Sequence, residues 1–310
     1  MPNRILIPID FSAYSQAAVE YGLVLARQFG ATLYLFHAVC FPRNIIYGTA
    51  DTLRGSDQNR VLQQARKKME QLMDGSQVDW QLRVDFGDPV EAGNRAADEL
   101  GADLVITASH GVGILRRILS GTVVEQFART LHRPLLVIHP HKLRKTALEP
   151  LSNGLDLLQF TGFRRIIVGC DFKSGSAETV RFACRFARKS GAECHLVHFL
   201  ESPVDETLMN TTRGGYGEQQ EMLQQERRQQ LKSLVPEWCC KEIPVKTAVL
   251  PGVPWEGMVA YVQDSVSDLV MVGLRTHGPW EKLWMGSTTE SALRHIVCPV
   301  MVLPCKGGRR

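Results

Sequence analysis

Apolar residues in the first half of the chain fall into two alternating rhythms. Ile5-Leu6-Ile7-Pro8-Ile9 is an unbroken apolar run and reads as a strand buried on both faces, as in a parallel sheet. Asp10-Phe11-Ser12 ends it, and Asp or Ser there can N-cap the next helix. From Ala17 to Phe29 the apolar positions (Ala18, Tyr21, Leu25, Phe29) have helical spacing and stop at Gly30, a good C-cap residue. Thr32 to Val39 reads as the second strand, and a more polar stretch runs from Phe41 to Asp57. Val61, Leu62, Ala65, Met69, Leu72 and Met73 then fall on one face of a helix. Val78 to Phe86 alternates as a third strand, and Gly87-Asp88-Pro89 turns into a helix over 89–100. Leu104-Val105-Ile106-Thr107 is the fourth strand, Val123 to Leu131 is helical, and Pro134 to Ile138 is the fifth strand. This alternation predicts a parallel α/β sheet with right-handed crossovers. Ligands in such sheets sit at the carboxyl ends of the strands, near the switch in strand order. Asp10 and Ala38 lie at such ends.

The pattern then repeats. Asp10, Ser15, Ala26, Gly30 and His37 recur 161 residues later as Asp171, Ser176, Ala187, Gly191 and His198. Gly87, Pro89, Asp103, Gly121 and Pro134 recur 165 residues later as Gly252, Pro254, Asp268, Gly286 and Pro299. The period is too long for a solenoid and fits a duplicated domain. The net four-residue insertion is expected in the polar, glycine-rich stretch Met209 to Gly217. The second copy predicts strands at Arg165–Gly169, Cys194–Leu200, Val245–Val249, Asp268–Val272 and Cys298–Leu303. Its helices are expected at Ala177–Lys189, Glu218–Leu234 and Pro254–Gln263. The expected domains are 1–141 and 161–310. Residues 142–160, with Lys142, Arg144, Lys145, Pro150, Asn153 and Gly154, suit a linker.

Candidate chemistry comes after each fourth strand. Ala108-Ser109-His110-Gly111 is followed after nine residues by Gly121-Thr122, and Gly273-Leu274-Arg275-Thr276 after nine by Gly286-Ser287. A glycine turn leaving a strand and a second one opening a helix can cradle phosphate through backbone N–H groups. Glycine lets the backbone approach the anion closely. Asp10 can hold Mg²⁺ through water or can cap the first helix, and capping is the commoner role. His110 and His277 read as turn residues rather than a general base, because no orienting carboxylate adjoins either. Arg116 and Arg117 suit either phosphates or a solvated helix face. Trp280 and Trp284 read as packing residues. Gly273 to Gly278 has the glycine spacing of a P-loop, but Pro279 stands where lysine is needed. No paired catalytic acids or metal cluster support a hydrolase or nucleotidyl transferase.

Composition narrows the class. The 310 residues are 44% hydrophobic and 22% charged with a formal net charge of +4. This is a globular balance without a nucleic-acid footprint. No apolar run has the length of a transmembrane helix. Met1-Pro2-Asn3-Arg4-Ile5 leads straight into a strand, so no signal peptide is expected. The eight cysteines form no C-x-x-C pair. They read as small buried thiols in a reducing compartment, the cytoplasm, and not as a zinc site.

Four features per half carry a resemblance: the Asp after strand one, the His at the end of strand two, the Gly-x-Pro opening the third helix, and the late glycine stretch. Both halves resemble the universal stress protein (UspA-like) domain, and the chain is similar to tandem members of that family. The resemblance implies two Rossmann-like domains, each a five-stranded parallel sheet of order 3-2-1-4-5 with helices on both faces. Many members bind ATP. Carried over to this chain, the ATP site of the first half would take Pro8, Asp10, Ala38, Ala108, Ser109, His110, Gly111, Gly121, Thr122 and Val123. That of the second half would take Asp171, Gly273, Arg275, Thr276, Gly286, Ser287 and Thr288. Ala108 replaces one motif glycine in the first half and Thr276 one in the second. Threonine is costly where φ must be positive, and Phe199 stands where the first half has Ala38, so the first half is the better site. The implied function is a non-enzymatic, nucleotide-dependent stress regulator using ATP, with Mg²⁺ as its counter-ion. No catalytic residues and no protein-held metal are expected, and weak ATP hydrolysis stays open. The alternative is a stress scaffold acting through protein contacts. The implied partners are adenine nucleotide and an intramolecular pseudo-dimer, with further homodimerisation open, and neither nucleic acid nor membrane.

Overall fold

A computed structural model describes residues 1–40, 55–109, 123–140, 162–173, 175–201, 216–276 and 287–306. The chain divides into two units, Met1–Gly162 and Phe163–Arg310. In unit 1 the strands are β1 (Arg4–Pro8), β2 (Thr32–Val39), β3 (Trp80–Phe86), β4 (Leu104–Ala108) and β5 (Leu135–Ile138). They alternate with α1 (Ala13–Phe29), α2 (Gly55–Leu72), α3 (Pro89–Glu99) and α4 (Val123–Thr130). β1 pairs in parallel with both β2 and β4, β2 with β3 and β4 with β5. The order is therefore β3-β2-β1-β4-β5, and strand order reverses beside β1.

Unit 2 repeats this plan. Its strands are β6 (Arg165–Gly169), β7 (Glu193–Leu200), β8 (Val245–Pro251), β9 (Leu269–Thr276) and β10 (Val300–Lys306). Its helices are α5 (Ser176–Ser190), α6 (Tyr216–Leu234), α7 (Glu237–Glu242), α8 (Pro254–Asp264) and α9 (Ser287–His295). Parallel pairing gives β8-β7-β6-β9-β10. Consecutive residues Ile5, Leu6 and Ile7 are all buried, as are Ile166, Ile167 and Val168. Side chains of successive strand residues point to opposite faces. Both faces of each central strand are therefore covered, and at about 25 cal/mol per Å² of apolar area this burial dominates the stability.

Several residues recurring between the halves are backbone anchors. Asp103 Oδ2 accepts the N–H groups of Asn3 (2.8 Å) and Arg4 (3.0 Å), fixing the start of β1 to the start of β4. Asp268 Oδ2 accepts those of Arg164 (2.7 Å) and Arg165 (2.8 Å) in the same way. Gly30 and Gly191 close α1 and α5 with φ of 67° and 72°, the left-handed conformation that residues with a Cβ adopt only at a cost.

Element limits differ from the sequence expectation in places. α1 starts at Ala13, four residues early, because Ser12 Oγ accepts the Ser15 N–H as N-cap. The polar first turn had hidden the helical period. β3 starts at Trp80 rather than Val78. β9 and β10 run past Val272 and Leu303, pairing with one another as far as Thr276 and Lys306. The short helix α7 has no counterpart in the expected elements. Pro236, held at φ −61°, precedes its first residue. All eight cysteines are free thiols, with Cys40 and Cys240 exposed and the others buried. Among the described residues no helix is long and apolar enough to cross a membrane. The expected linker 142–160 lies outside the described residues, as does the stretch 209–215 of the expected insertion.

Candidate functional site

The carboxyl ends of β1 and β2 in unit 1 carry a tightly tied turn. Asp10 Oδ1 accepts hydrogen bonds from the Ser12 N–H (3.0 Å) and Ser12 Oγ (2.6 Å). Ser12 in turn caps α1, so Asp10 holds the capping residue rather than capping the helix itself. Partial burial works to raise the Asp10 carboxyl, but the bonds from Ser12 and Ser15 outweigh it and hold it below its ordinary value. The group is therefore ionised at neutral pH. The residue is exposed.

Phe11 adopts φ 64°. A left-handed backbone costs an L-residue about 1–2 kcal/mol, so the surroundings must hold it there. Its ring lies 4.6 Å from that of His37, and Lys68 Nζ sits 5.2 Å from its centroid. His37 Nδ1 is 2.8 Å from the Ile9 carbonyl. A carbonyl only accepts, so Nδ1 carries the proton. Ala38, next along β2, is half-buried, as is Pro8 at the end of β1. On the neighbouring strands, Ala108 ends β4, the Ser109 N–H donates to Ile138 (2.9 Å), and Ser109 Oγ lies 2.5 Å from His139 Nδ1. Val123 is the exposed first residue of α4.

Unit 2 rebuilds the same device. Asp171 Oδ1 accepts from the Lys173 N–H (3.0 Å) and Ser176 Oγ (2.8 Å). Phe172 takes φ 56° and lies 4.4 Å from the His198 ring. His198 Nδ1 donates to the Cys170 carbonyl at 2.8 Å. The Arg227 guanidinium stands over Phe172 at 5.5 Å, as Lys68 does over Phe11. Burial, with the Arg227 charge behind it, holds His198 below its ordinary value against the opposing Cys170 carbonyl and Asp171 charge. Sequence reasoning paired both Asp and both His residues but passed over Phe11, Phe172, Lys68 and Arg227. The Asp-Phe dipeptide, repeated at an offset of 161, was the available signal.

Beside this shared frame the two units diverge. Phe199 is buried where unit 1 has Ala38. A Cβ on Gly257 of α8 would stand 2.2 Å from Phe199 Cε1, so the ring occupies the space against that helix. Gly273 corrects the expectation of a turn glycine. It lies inside β9, paired with Leu303 of β10. A Cβ there would meet Thr179 Oγ1 at 2.8 Å and Cys305 Sγ at 3.2 Å. Gly273 is thus glycine for want of space, not for a phosphate turn. Arg275 and Thr276 are likewise strand residues of β9, so the φ penalty expected for Thr276 does not arise. Ser287 opens α9 and Thr288 comes next. The remaining expected loop residues, His110, Gly111, Gly121, Thr122 and Gly286, lie outside the described residues, as do Arg116, Arg117, His277, Gly278, Pro279, Trp280 and Trp284.

The universal stress protein family model matches residues 1–139 and again 162–304. The chain belongs to the universal stress protein family. It carries two copies of the domain, in agreement with the duplicated fold. Universal stress protein MJ0531 of Methanocaldococcus jannaschii is 24% identical over 156 residues, spanning 49% of this chain and 86% of that protein. MJ0577 of the same organism is 24% identical over 154 residues, spanning 44% of this chain and 95% of its own. A universal stress protein from Archaeoglobus fulgidus matches with a TM-score of 0.66, 18% identity and 99% of both chains. At that identity the likeness establishes the fold alone.

Proposed function

We propose that this universal stress protein binds ATP at the carboxyl ends of β1, β2 and β4 in unit 1 and acts as a nucleotide-dependent regulator of stress responses. The observation that carries the reading is the contrast between two copies of one device. Each holds an Asp carboxylate, a strained Phe and a carbonyl-anchored His. At the next residue along the strand, on the opposite face of the sheet from the His, unit 1 has a methyl group, Ala38, and unit 2 a buried phenyl ring, Phe199, packed against α8. An exposed, ionised carboxylate is the acceptor a ribose hydroxyl needs. Asp10 fits that part of a nucleotide. Pro8, Ala38, Ala108 and Ser109 would border it, and His110, Gly111, Gly121, Thr122 and Val123 would meet the phosphates, with Mg²⁺ offsetting their charge. In unit 2, Asp171, Gly273, Arg275, Thr276, Gly286, Ser287 and Thr288 form the corresponding set, which we infer to be structural.

The test is calorimetric titration of ATP with Mg²⁺ into folded protein checked to be free of nucleotide. Ala38→Phe, Gly111→Val and Gly286→Val variants accompany the wild type. The expected result is one site, lost in Ala38→Phe and Gly111→Val and kept in Gly286→Val. No binding to the wild type, or loss in Gly286→Val alone, overturns the assignment to unit 1. The first of these outcomes shifts the reading to a scaffold acting through protein contacts.

A further inference from the structure

A hollow of about 340 Å³ on unit 2, away from the strand ends, is lined by Arg181, Arg185, Arg188 and Trp238. The three arginines fall at i, i+4 and i+7 on α5, one exposed strip of the helix. At 1.5 Å rise per residue, Arg181 and Arg185 are one turn apart, roughly 6 Å along the axis. Trp238 is brought to them by α7.

The charges within the strip are unevenly answered. Arg188 Nη1 pairs with Glu242 at 3.1 Å, and its guanidinium stands 4.9 Å from the Trp238 ring. It also sits in the last turn of α5, where a cation suits the helix dipole. Neither explanation extends to the other two. Arg185 Nε donates to the Arg181 carbonyl, and neither guanidinium meets a carboxylate among the described residues, Glu178 included. Like charges one turn apart destabilise a helix by a few tenths of a kcal/mol. The fold does not require them either. At the same offset unit 1 carries Glu20, Val24 and Arg27, and α1 forms without the strip. Nor do the described residues of unit 1 include a counterpart of α7 to supply the indole.

We propose that this hollow is a binding site for a small organic phosphate, with its phosphate on Arg181 and Arg185 and its organic part against Trp238. A phosphate monoester carries close to two negative charges at neutral pH, which answers both unpaired guanidiniums at once. A carboxylate answers one. Guanidinium forks match phosphate oxygens in paired, charge-assisted hydrogen bonds. The indole, together with the aliphatic stems of the arginines, offers an apolar face to an aromatic or apolar group. The volume is that of a small-molecule site and admits a single phosphorylated metabolite. The site is independent of the strand-end residues assigned to ATP.

The experiment titrates the full chain with phenyl phosphate and, separately, inorganic phosphate. Binding is followed by the ¹H–¹⁵N signal of the Trp238 indole, identified by its absence in Trp238→Phe. Both probes should shift the signal, phenyl phosphate at several-fold lower concentration. Arg181→Gln/Arg185→Gln should weaken both about tenfold or more, the size of a lost charge-assisted hydrogen bond. Arg95→Gln, an exposed arginine of unit 1, should weaken neither. In Trp238→Ala, followed by calorimetry, phenyl phosphate should fall to the affinity of inorganic phosphate. An indole signal unmoved by millimolar phenyl phosphate overturns the proposal, and so does an Arg181→Gln/Arg185→Gln variant that binds like wild type. Equal affinity of the two probes in the wild type removes the organic part and with it the assigned ligand class.

Discussion

Phe199 and Gly257 are a fitted pair, and a double-mutant cycle measures the fit. A Cβ on Gly257 would stand 2.2 Å and 2.4 Å from Phe199 Cε1 and Cδ1. Gly257→Ala therefore forces the buried ring or α8 to move, at a cost of about 1–3 kcal/mol for overpacking. Against this, alanine is about 1 kcal/mol better than glycine inside a helix. The severity of the overlap decides the sign, and the single variant should lose about 1–2 kcal/mol. Phe199→Ala alone should lose about 3–5 kcal/mol. Adding Gly257→Ala to Phe199→Ala removes the overlap and leaves only the propensity, so there it should stabilise by up to about 1 kcal/mol. The reversal of sign is the signature, with a coupling of about 1–3 kcal/mol. Urea unfolding followed by tryptophan fluorescence reads unit 2 preferentially, since Trp238, Trp255, Trp280 and Trp284 lie there and Trp80 in unit 1. If Gly257→Ala shifts the midpoint equally in both backgrounds, the ring does not fill that space, and the contrast between the two units loses its basis.

Three further outcomes are expected. Val266, 78% exposed, sits at φ 49° where unit 1 has Gly101 at φ 61°; relief of the left-handed strain, less glycine's extra freedom when unfolded, should make Val266→Gly about 0.5–1 kcal/mol more stable in urea. Arg165, followed by His195 and Lys246, holds Glu193 down to about 2, against an opposing burial effect. Its stability contribution is thus complete above the ordinary value of 4.5 and lost as pH falls from there towards 2. Burial also holds His195 below 6.5, which adds acid sensitivity from that pH downward. Glu193→Gln should cost about 1–2 kcal/mol at neutral pH, discounted for partial exposure, and flatten the acid limb of a stability–pH curve below pH 4.5; an unchanged limb refutes the pairing. Asp268→Ala removes two backbone hydrogen bonds to a carboxylate and should cost about 1–3 kcal/mol in the same urea assay, most of which a merely cosmetic surface residue would not show.

What could be read from the sequence was whatever depends on neighbours along the chain. Continuous apolar runs at Ile5–Ile7 and Ile166–Val168 marked the central strands because both faces are buried. Gly30 and Gly191 stood out as recurring residues tied to a local backbone demand, whereas Asp103 and Asp268 stood out only by recurring, since the backbone groups they hold lie about a hundred residues away. What failed depends on neighbours across the fold. Gly273 and Thr276 read as a turn because they hold the glycine-motif positions after the fourth strand, with nine residues between Thr276 and Gly286. The space that Thr179 and Cys305 leave for Gly273 is set by elements about a hundred and thirty residues apart. The backbone strain at Phe11 and Phe172 was invisible for a related reason. Phenylalanine has no preference for a positive φ, and only the His ring, the cation and the tied Asp hold it there. Arg181, Arg185 and Arg188 could be counted at helical spacing, but nothing in the chain showed that a six-residue helix would bring Trp238 beside them.

The persistence of the strained turn in both units bears on what it does. If Phe11 were held at φ 64° for a ligand alone, unit 2, which we infer to be structural, would have no reason to keep Phe172 at φ 56°. Strain of about 1–2 kcal/mol is retained in unit 2 with the same His, the same carbonyl bond and an equivalent cation. The turn is therefore first a brace: it clamps the end of β2 or β7 to the end of β1 or β6 through the imidazole. Under the proposed ATP reading, ligand selection would fall to other positions, Ala38 and Phe199 foremost. Phe172→Gly and Phe11→Gly separate the two roles. Both should lower stability, because removing the ring's packing on the imidazole and the cation outweighs the relief of strain, and only Phe11→Gly should also weaken ATP. If Phe172→Gly instead stabilises unit 2, the ring is no brace, and the strain in both copies requires a ligand-based account.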